Sequence, residues 1–159
     1  EGIELPPEDG DTFASNALPK ARAAAAATGR PAIGDDSGIE AEALGGAPGV
    51  RSARYAGEQA SDQENLDKLV NEAPPGSGLR YVCALAYVDP AAAEERLFEG
   101  ESRGRMAEAP RGSRGFGYDP VFLVDDGRTM AELSDTEKDA ISHRGHAARA
   151  LAAWLGVGT

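Results

Sequence analysis

The stretch RYVCALAYV, residues 80–88, is apolar at nearly every position and is the segment that decides the fold. A strand that is buried on both faces has this composition, whereas a strand with one solvated face alternates apolar and polar residues. We therefore predict that this segment forms the central strand of a β-sheet. Its cysteine, Cys83, is the only one in the chain, and we interpret it as a buried structural thiol.

Further strand and helix patterns lie on both sides of this segment. Strands are predicted at 31–33, 39–44, 96–108 and 120–124, and helices at 16–28, from 61, from 134 and at 146–155. The two middle helices begin with Ser-x-x-Glu capping boxes. Pro19 would fall in the first turn of the first helix if Ser15 or Asn16 were its N-cap. The mixture predicts one α/β domain over residues 1–159, with a central mixed β-sheet flanked by helices.

Composition limits the classes of partner. The 159-residue chain carries 16 basic and 27 acidic residues, a formal net charge of −11, which argues against general nucleic-acid binding. A small anionic ligand could still bind through a local group of cations or through a divalent metal. No apolar run approaches the length of a membrane span, and one cysteine fits a reducing compartment. We expect a cytoplasmic protein without membrane or nucleic-acid partners.

The stretch GDDSG, residues 34–38, places two carboxylates and a hydroxyl directly after a short apolar run. Such a stretch can form an Asx turn for structural reasons alone. It can also bind Mg²⁺, which takes one or two carboxylates together with phosphate oxygens. We expect Asp35, Asp36 and Ser37 to lie in a loop at a strand end, where α/β sheets place ligands.

Two later stretches are rich in glycine or in positive charge. GSRGFGYDP, residues 112–120, is either a turn with packing aromatics or a loop that approaches a flat ligand. In the second case Phe116 offers a stacking face and Asp119 accepts hydrogen bonds from ring N–H groups. EKDAISHRG, residues 137–145, is either a solvated helix end that complements the helix dipole or a cationic binding site. A zinc site is disfavoured because the chain has only two histidines.

Four stretches, in this order, resemble the inosine/xanthosine triphosphate pyrophosphatase family. They are TFASNALPKARAAAAATGRPAIGDDSG (12–38), ALGGAPGVRSARYAG (43–57), RGFGYDP (114–120) and AELSDTEKDAISHRG (131–145). The resemblance implies an elongated α/β fold with a nucleotide cleft between two lobes, a homodimer, and Mg²⁺ as cofactor. It also implies hydrolysis of deaminated purine nucleoside triphosphates (inosine, deoxyinosine and xanthosine triphosphate) to monophosphate and pyrophosphate.

The resemblance assigns roles by matching positions. Asp36 is expected to act as general base or metal ligand, Glu8 as a second metal ligand, and Lys20 as a phosphate contact. The expected substrate contacts are Ser37, Phe116, Gly117, Tyr118, Asp119, Lys138, His143 and Arg144. The last three are expected to read the 6-oxo edge of the purine, since Lys and Arg can only donate hydrogen bonds. Adenine presents an amino donor at that edge and would leave a desolvated cation unpaired.

The chain also departs from the family pattern. Ser15 stands where an acidic residue is common, Pro19 replaces an aliphatic residue, and Gly34 replaces an alanine. The family's first strand and its Asn/Lys phosphate loop have no match in residues 1–159, so we expect weak activity from the chain as written. Two alternatives stay open: a non-catalytic nucleotide-binding or dimerisation module, and a related hydrolase with another base preference.

Overall fold

The computed structural model describes residues 2–157. Their strands are β1 (Ala32–Ala41), β2 (Gly78–Asp89), β3 (Glu94–Met106) and β4 (Phe122–Leu123), and their helices are α1 (Phe13–Thr28), α2 (Asp62–Glu72), α3 (Asp135–Ile141) and α4 (His143–Leu155). The predicted α/β class, with helices flanking a central sheet, is confirmed. The predicted domain extends to residues 1, 158 and 159, which lie outside the described residues.

The strands form one sheet in the order β1-β2-β3-β4, with every pairing antiparallel. The segment 80–88 lies in β2, which has a partner on each side, as predicted. A mixed sheet was expected because helices and strands alternate along the chain. Within the described residues, however, β2 and β3 form a hairpin, and a short connection of that kind requires antiparallel strands. No helix within this part of the chain is both long and apolar enough to cross a membrane.

β1 runs without a break through the Asp pair, so the expectation of a loop at a strand end is wrong. Each of its residues has a partner on β2; Asp35 lies opposite Leu85 and Asp36 opposite Ala84. Side chains alternate along a strand. The side chain of Asp36 therefore points to the face covered by α1, and that of Asp35 to the face covered by α4. This pairing ladder outweighs the low strand propensity of aspartate and glycine.

Helix α1 packs on the sheet through small residues. Ala17, Ala21 and Ala25 are buried against the even-numbered apolar residues of β2. A Cβ at Gly34 of β1 would come within 2.5 Å of the Ala17 carbonyl oxygen and 2.6 Å of the Ala21 nitrogen. The glycine that departs from the family pattern therefore permits the close approach of α1 to β1.

The N-terminus of α1 differs from the expectation. The helix begins at Phe13 with Thr12 as its N-cap, so the proposed caps at Ser15 and Asn16 are wrong. The Ser15 hydroxyl completes a capping box, accepting from the Thr12 nitrogen at 3.1 Å. Pro19 therefore lies inside the helix, where it costs about 3 kcal/mol. The buried alanine face of the helix opposes that cost.

The C-terminal helices place three basic residues of the site. The predicted capping boxes at Ser61 and Ser134 are confirmed. Helix α4 begins at His143 and not at 146, because the Ser142 hydroxyl caps it. His143 and Arg144 thus lie at a helix N-terminus, where the dipole disfavours cations. Dipole complementation therefore does not explain Arg144, although it fits Lys138 in the last turn of α3.

Candidate active site

A group of four polar side chains, Glu8, Asn16, Lys20 and Asp36, lies on the α1 face of β1; we call it the carboxylate–lysine cluster. Asn16 donates to Asp36 Oδ2 at 2.9 Å. The Lys20 ammonium contacts the Glu8 carboxylate and lies 3.7 Å from Asp36 Oδ1. Asp36 is only 8% exposed. The structure therefore brings together the three residues assigned to metal, phosphate and catalysis.

Asn16 was missed as a site residue by the sequence interpretation. It is buried, and its side-chain oxygen accepts from the Gly10 nitrogen at 2.8 Å while its amide nitrogen holds Asp36. A signal was present in the sequence, because Asn16 and Lys20 are separated by four positions. Residues with that spacing share one face of a helix.

Burial sets the protonation behaviour of Asp36. Desolvation raises the pKa of its carboxyl, while the hydrogen bond from Asn16 and the charge of Lys20 oppose the rise. Removal from water disfavours the charged form, and donors and cations favour it. The result is a carboxylate that binds a proton more readily than a free aspartate does, a property that suits a general base.

The carboxylates of this cluster are oxygen ligands of the kind that Mg²⁺ takes. Among residues 2–157 there is no cluster of three or more His, Cys, Asp and Glu side chains arranged to hold a metal. Two carboxylates, those of Glu8 and Asp36, nevertheless converge on one cation, the ammonium of Lys20. Arg54 holds this segment in place by donating to the Glu8 carbonyl at 2.9 Å. Since Mg²⁺ needs only one or two carboxylates beside phosphate oxygens, the residues fit it.

A cavity of about 140 Å³ lies among residues of β1, the 115–119 loop and the start of α4; we call it the base-side cavity. Its lining includes Ser37, Ser52, Tyr81, Phe116, Gly117, Tyr118, Asp119, His143 and Arg144. Within residues 2–157, two of its polar atoms, Ser37 Oγ and His143 Nδ1, are buried without a hydrogen-bond partner. Buried polar atoms are almost always paired, so this hydroxyl and this ring nitrogen mark the cavity as a candidate ligand site.

His143 stacks on Tyr81 with ring centroids 4.7 Å apart. Burial, followed by the charges of Arg144 and Lys138, lowers the pKa of His143 to about 4. The imidazole is therefore neutral at physiological pH, and it can accept as well as donate a hydrogen bond. An imidazolium at this position would add a third positive charge to the cavity.

Tyr81 is a second residue that the sequence interpretation missed. Its ring lies between His143 and Phe122, whose centroid is 4.5 Å away, and its hydroxyl donates to Asp119 Oδ1 at 3.1 Å. It therefore connects α4 to the 115–119 loop. The available signal was a tyrosine inside an apolar strand, because a buried tyrosine hydroxyl usually requires a partner.

Asp119 organises the 115–119 loop. It is 2% exposed, accepts from the Phe116 nitrogen at 3.0 Å, and forms an ion pair with Lys138. Gly115 has φ 71°, and a Cβ there would collide with the Asp119 carboxylate. Both Asp119 oxygens thus have protein partners, and a direct contact with a ligand stays a prediction.

Phe116 presents an open aromatic surface and is 60% exposed. Lys138 Nζ lies 4.6 Å and Arg144 Cζ 5.9 Å from its ring centroid. Tyr118 is pinned instead by its hydroxyl, which donates to the Ser52 carbonyl at 2.6 Å. Gly117 lies between them with φ 58°. The loop therefore offers one flat face to a ligand, beside a cation from α3 and a cation from α4.

Comparison with known proteins places this arrangement in a family. A model of the Ham1 family matches residues 1–154. A protein of Symbiobacterium thermophilum named dITP/XTP pyrophosphatase is 54% identical over 152 residues, which cover 93% of this chain and 74% of the relative. A Frankia alni protein of the same name is 51% identical, with 93% and 78% covered.

Solved structures agree with the sequence relatives. A HAM1 protein from Coxiella burnetii superposes with a TM-score of 0.91 at 41% identity, covering 98% of this chain and 82% of that one. A nucleoside-triphosphatase, dITP/XTP pyrophosphatase, from Mycobacterium abscessus has a TM-score of 0.78 at 44% identity, covering 97% and 79%. The resemblance inferred from the four sequence stretches is confirmed, and the chain belongs to the Ham1 family.

Proposed function

We propose that this protein hydrolyses deaminated purine nucleoside triphosphates, such as inosine, deoxyinosine and xanthosine triphosphate, to monophosphate and pyrophosphate, clearing them from the nucleotide pool. The observation that carries the proposal is that two kinds of polar group lie on opposite faces of β1. One face holds a buried carboxylate beside a lysine, and the other holds an aromatic ring with two cations. A nucleoside triphosphate has the matching parts, a polyanion and a flat heterocycle. The relatives' name, dITP/XTP pyrophosphatase, points to the same substrates.

Base selection follows from hydrogen-bond chemistry. Lys138 and Arg144 can only donate, so they favour a base that presents an acceptor, such as the 6-oxo group of hypoxanthine or xanthine. The amino group of adenine at that position is itself a donor, so it would offer no acceptor to the remaining N–H groups of these cations. Guanine also carries a 6-oxo group, and the two cations alone do not exclude it.

The carboxylate–lysine cluster supplies the chemistry of phosphoryl cleavage. Glu8 and Asp36 would hold Mg²⁺, which would supply positive charge to neutralise the triphosphate and the charge that develops at phosphorus. Lys20 adds a fixed positive charge on the same face. The oxygen of the attacking water bonds to the α-phosphorus, and Asp36 accepts a proton from that water. The bond from that phosphorus to the bridging oxygen breaks, and pyrophosphate leaves with the electron pair.

A substrate panel tests the proposal. Pyrophosphate release is measured with inosine, deoxyinosine, xanthosine, guanosine and adenosine triphosphates and a modified pyrimidine triphosphate, each with Mg²⁺ or with a chelator. We expect Mg²⁺-dependent turnover that is fastest with the deaminated purines. Binding without turnover would favour the non-catalytic module, and a preference for the pyrimidine would favour the related hydrolase.

A homodimer and a cytoplasmic location belong to the same proposal. The homodimer is supported by the resemblance to the pyrophosphatase family, and the location by the single cysteine, which fits a reducing compartment. Size-exclusion chromatography with light scattering at micromolar protein should give twice the mass of one chain. A mass equal to one chain contradicts the homodimer.

A further inference from the structure

Asp35 contacts both halves of the site, although its carboxylate faces away from Asp36. Its Oδ2 accepts from Arg144 Nη2 at 3.0 Å on the base side. Its main-chain carbonyl accepts from Lys20 Nζ at 2.9 Å on the phosphate side. One residue of β1 therefore touches a cation from each group, and these contacts have no part in the chemistry described above.

Arg144 has unfavourable neighbours apart from Asp35. It lies in the first turn of α4, where the helix dipole opposes a positive charge. It also shares the face of Phe116 with Lys138, and two like charges over one ring repel each other. The carboxylate of Asp35 supplies a nearby negative charge that offsets both effects.

The contact leaves most of the guanidinium free for a ligand. Arginine has five N–H donors, and Asp35 takes one of them. Within residues 2–157 the Arg144 side chain has no other hydrogen-bond partner. A long side chain that is already held loses less conformational entropy when a ligand binds. The remaining donors are therefore presented to the base-side cavity by a preorganised side chain.

We propose that Asp35 is a positioning residue for base recognition, which holds Arg144 in the orientation in which its free N–H groups meet the 6-oxo edge of the purine. The proposal rests on the proposed function, because it names a residue that sets base choice at the same site. It also separates the adjacent aspartates by role: Asp36 serves the phosphate end, and Asp35 serves the base end. A direct catalytic role for Asp35 is disfavoured, since its carboxylate lies on the opposite face of β1 from Asp36.

The test is a double-mutant cycle with Asp35→Ala, Arg144→Ala and the double variant, together with Asp35→Glu. Values of kcat and KM are measured with inosine and adenosine triphosphates, and the affinity for inosine monophosphate is measured by isothermal titration calorimetry. Glu95→Ala is the matched control. It breaks an ion pair of similar exposure between α1 and β3, in which Arg22 binds Glu95 through two contacts of 2.7 Å.

We expect Asp35→Ala to raise KM for inosine triphosphate and Kd for inosine monophosphate by about three- to tenfold, somewhat more than an exposed ion pair alone contributes. The effect on kcat should be below twofold, and the KM for adenosine triphosphate should change little. The double variant should be no worse than Arg144→Ala, because Asp35 acts through that residue. Asp35→Glu should restore part of the loss, and Glu95→Ala should cause none.

Additive losses in the double variant would overturn the positioning role alone, and so would an equal fall in kcat with both triphosphates. An equal loss of affinity in Glu95→Ala would also overturn it, because the effect would then follow from the loss of any ion pair of the sheet. Absence of turnover by the unaltered protein would instead overturn the proposed activity. The titrations with inosine monophosphate would still judge Asp35 in that case, and absence of any binding would overturn both proposals.

Discussion

The two faces of β1 handle charge in opposite ways. On the α1 face, the buried Asp36 is compensated by a donor and an ammonium. On the α4 face, the half-exposed Arg144 shares an open aromatic ring with Lys138. The first arrangement fixes the reactivity of a group before any ligand arrives. The second leaves most N–H donors of Arg144 free for the acceptors of a ligand. Reactivity and selectivity therefore belong to separate surfaces joined by one strand.

Substitution of Asp36 on the α1 face of β1 is expected to have the largest effect on turnover. Asp36→Asn keeps the size of the side chain but removes its ability to take a proton, so turnover should fall about 10²- to 10⁴-fold. Pyrophosphate release checks the loss, and a thermal melt checks that the variant is folded. Asp35→Asn is the neighbouring comparison, because the effect of that substitution should fall on KM and change kcat by less than twofold. Near-normal turnover by Asp36→Asn would show that the base lies elsewhere.

Substitution of Lys138 tests how the cations beside Phe116 select the base. Lys138→Met removes a charged donor and should raise KM for inosine triphosphate about ten- to hundredfold, with a smaller rise for adenosine triphosphate. Because Lys138 also compensates the buried Asp119, the melting temperature should fall as well. Lys138→Arg, which keeps the charge, separates the two effects. Equal weakening of both substrates would mean that Lys138 contacts phosphate and not the base.

Asn16 tests whether the reactive face is tuned by its hydrogen bond. The bond from Asn16 lowers the pKa of Asp36, so Asn16→Ala should raise that pKa. Since the working form of Asp36 is deprotonated, the acid limb of the kcat/KM profile, which reports the free enzyme, should move to higher pH. At acidic pH kcat/KM should fall about tenfold, as expected for a lost bond to a charged group.

The control for Asn16 is Asn65→Ala. Asn65 is an equally buried asparagine that bonds the backbone of Ala53 and Ala56, outside the site. It should lose stability without any shift in the pH profile. An unshifted profile in Asn16→Ala would contradict the proposed tuning.

Tyr81 carries the smallest expected effect. Tyr81→Phe keeps the stack with His143 but removes the bond to the charged Asp119, which should cost about 2 kcal/mol of stability. The preference for inosine over adenosine triphosphate should narrow about two- to fivefold, because the 115–119 loop is held less firmly. Tyr87→Phe on the same strand, beside Trp154, is the matched control. An unchanged preference would leave Tyr81 a packing residue alone.

Helices and strands that depend on residues close together in the chain were predictable from the sequence. The apolar run of β2 and the capping boxes of α2 and α3 depend on residues close together in the chain, and the structure confirms them. The continuity of β1 was not predictable in this way, because Asp-Asp-Ser-Gly is a turn composition. Only the pairing ladder with β2, more than forty positions away, makes it a strand.

The same distinction applies to the site. Motif resemblance located Asp36, Lys20 and the 115–119 loop, and the structure brings Asp36 and Lys20 together. Asn16 and Tyr81 were missed because their importance lies in partners twenty and thirty-eight positions away. Contacts of that range depend on how α1 and β2 pack, which no single stretch of sequence contains.

The alternation of side chains along β1 also constrains how this gene can change. A deletion of one codon between Ala32 and Asp35 would slide the rest of the strand by one position against β2. Every later side chain would then change faces, exchanging Asp35 with Asp36 and turning Ser37 out of its cavity. No amino acid of the site would be lost, yet Asp36 would lie on the α4 face of the strand and Asp35 on the α1 face. Changes of length are therefore expected to accumulate in the connections around this strand, while its own residue count is held fixed across lineages.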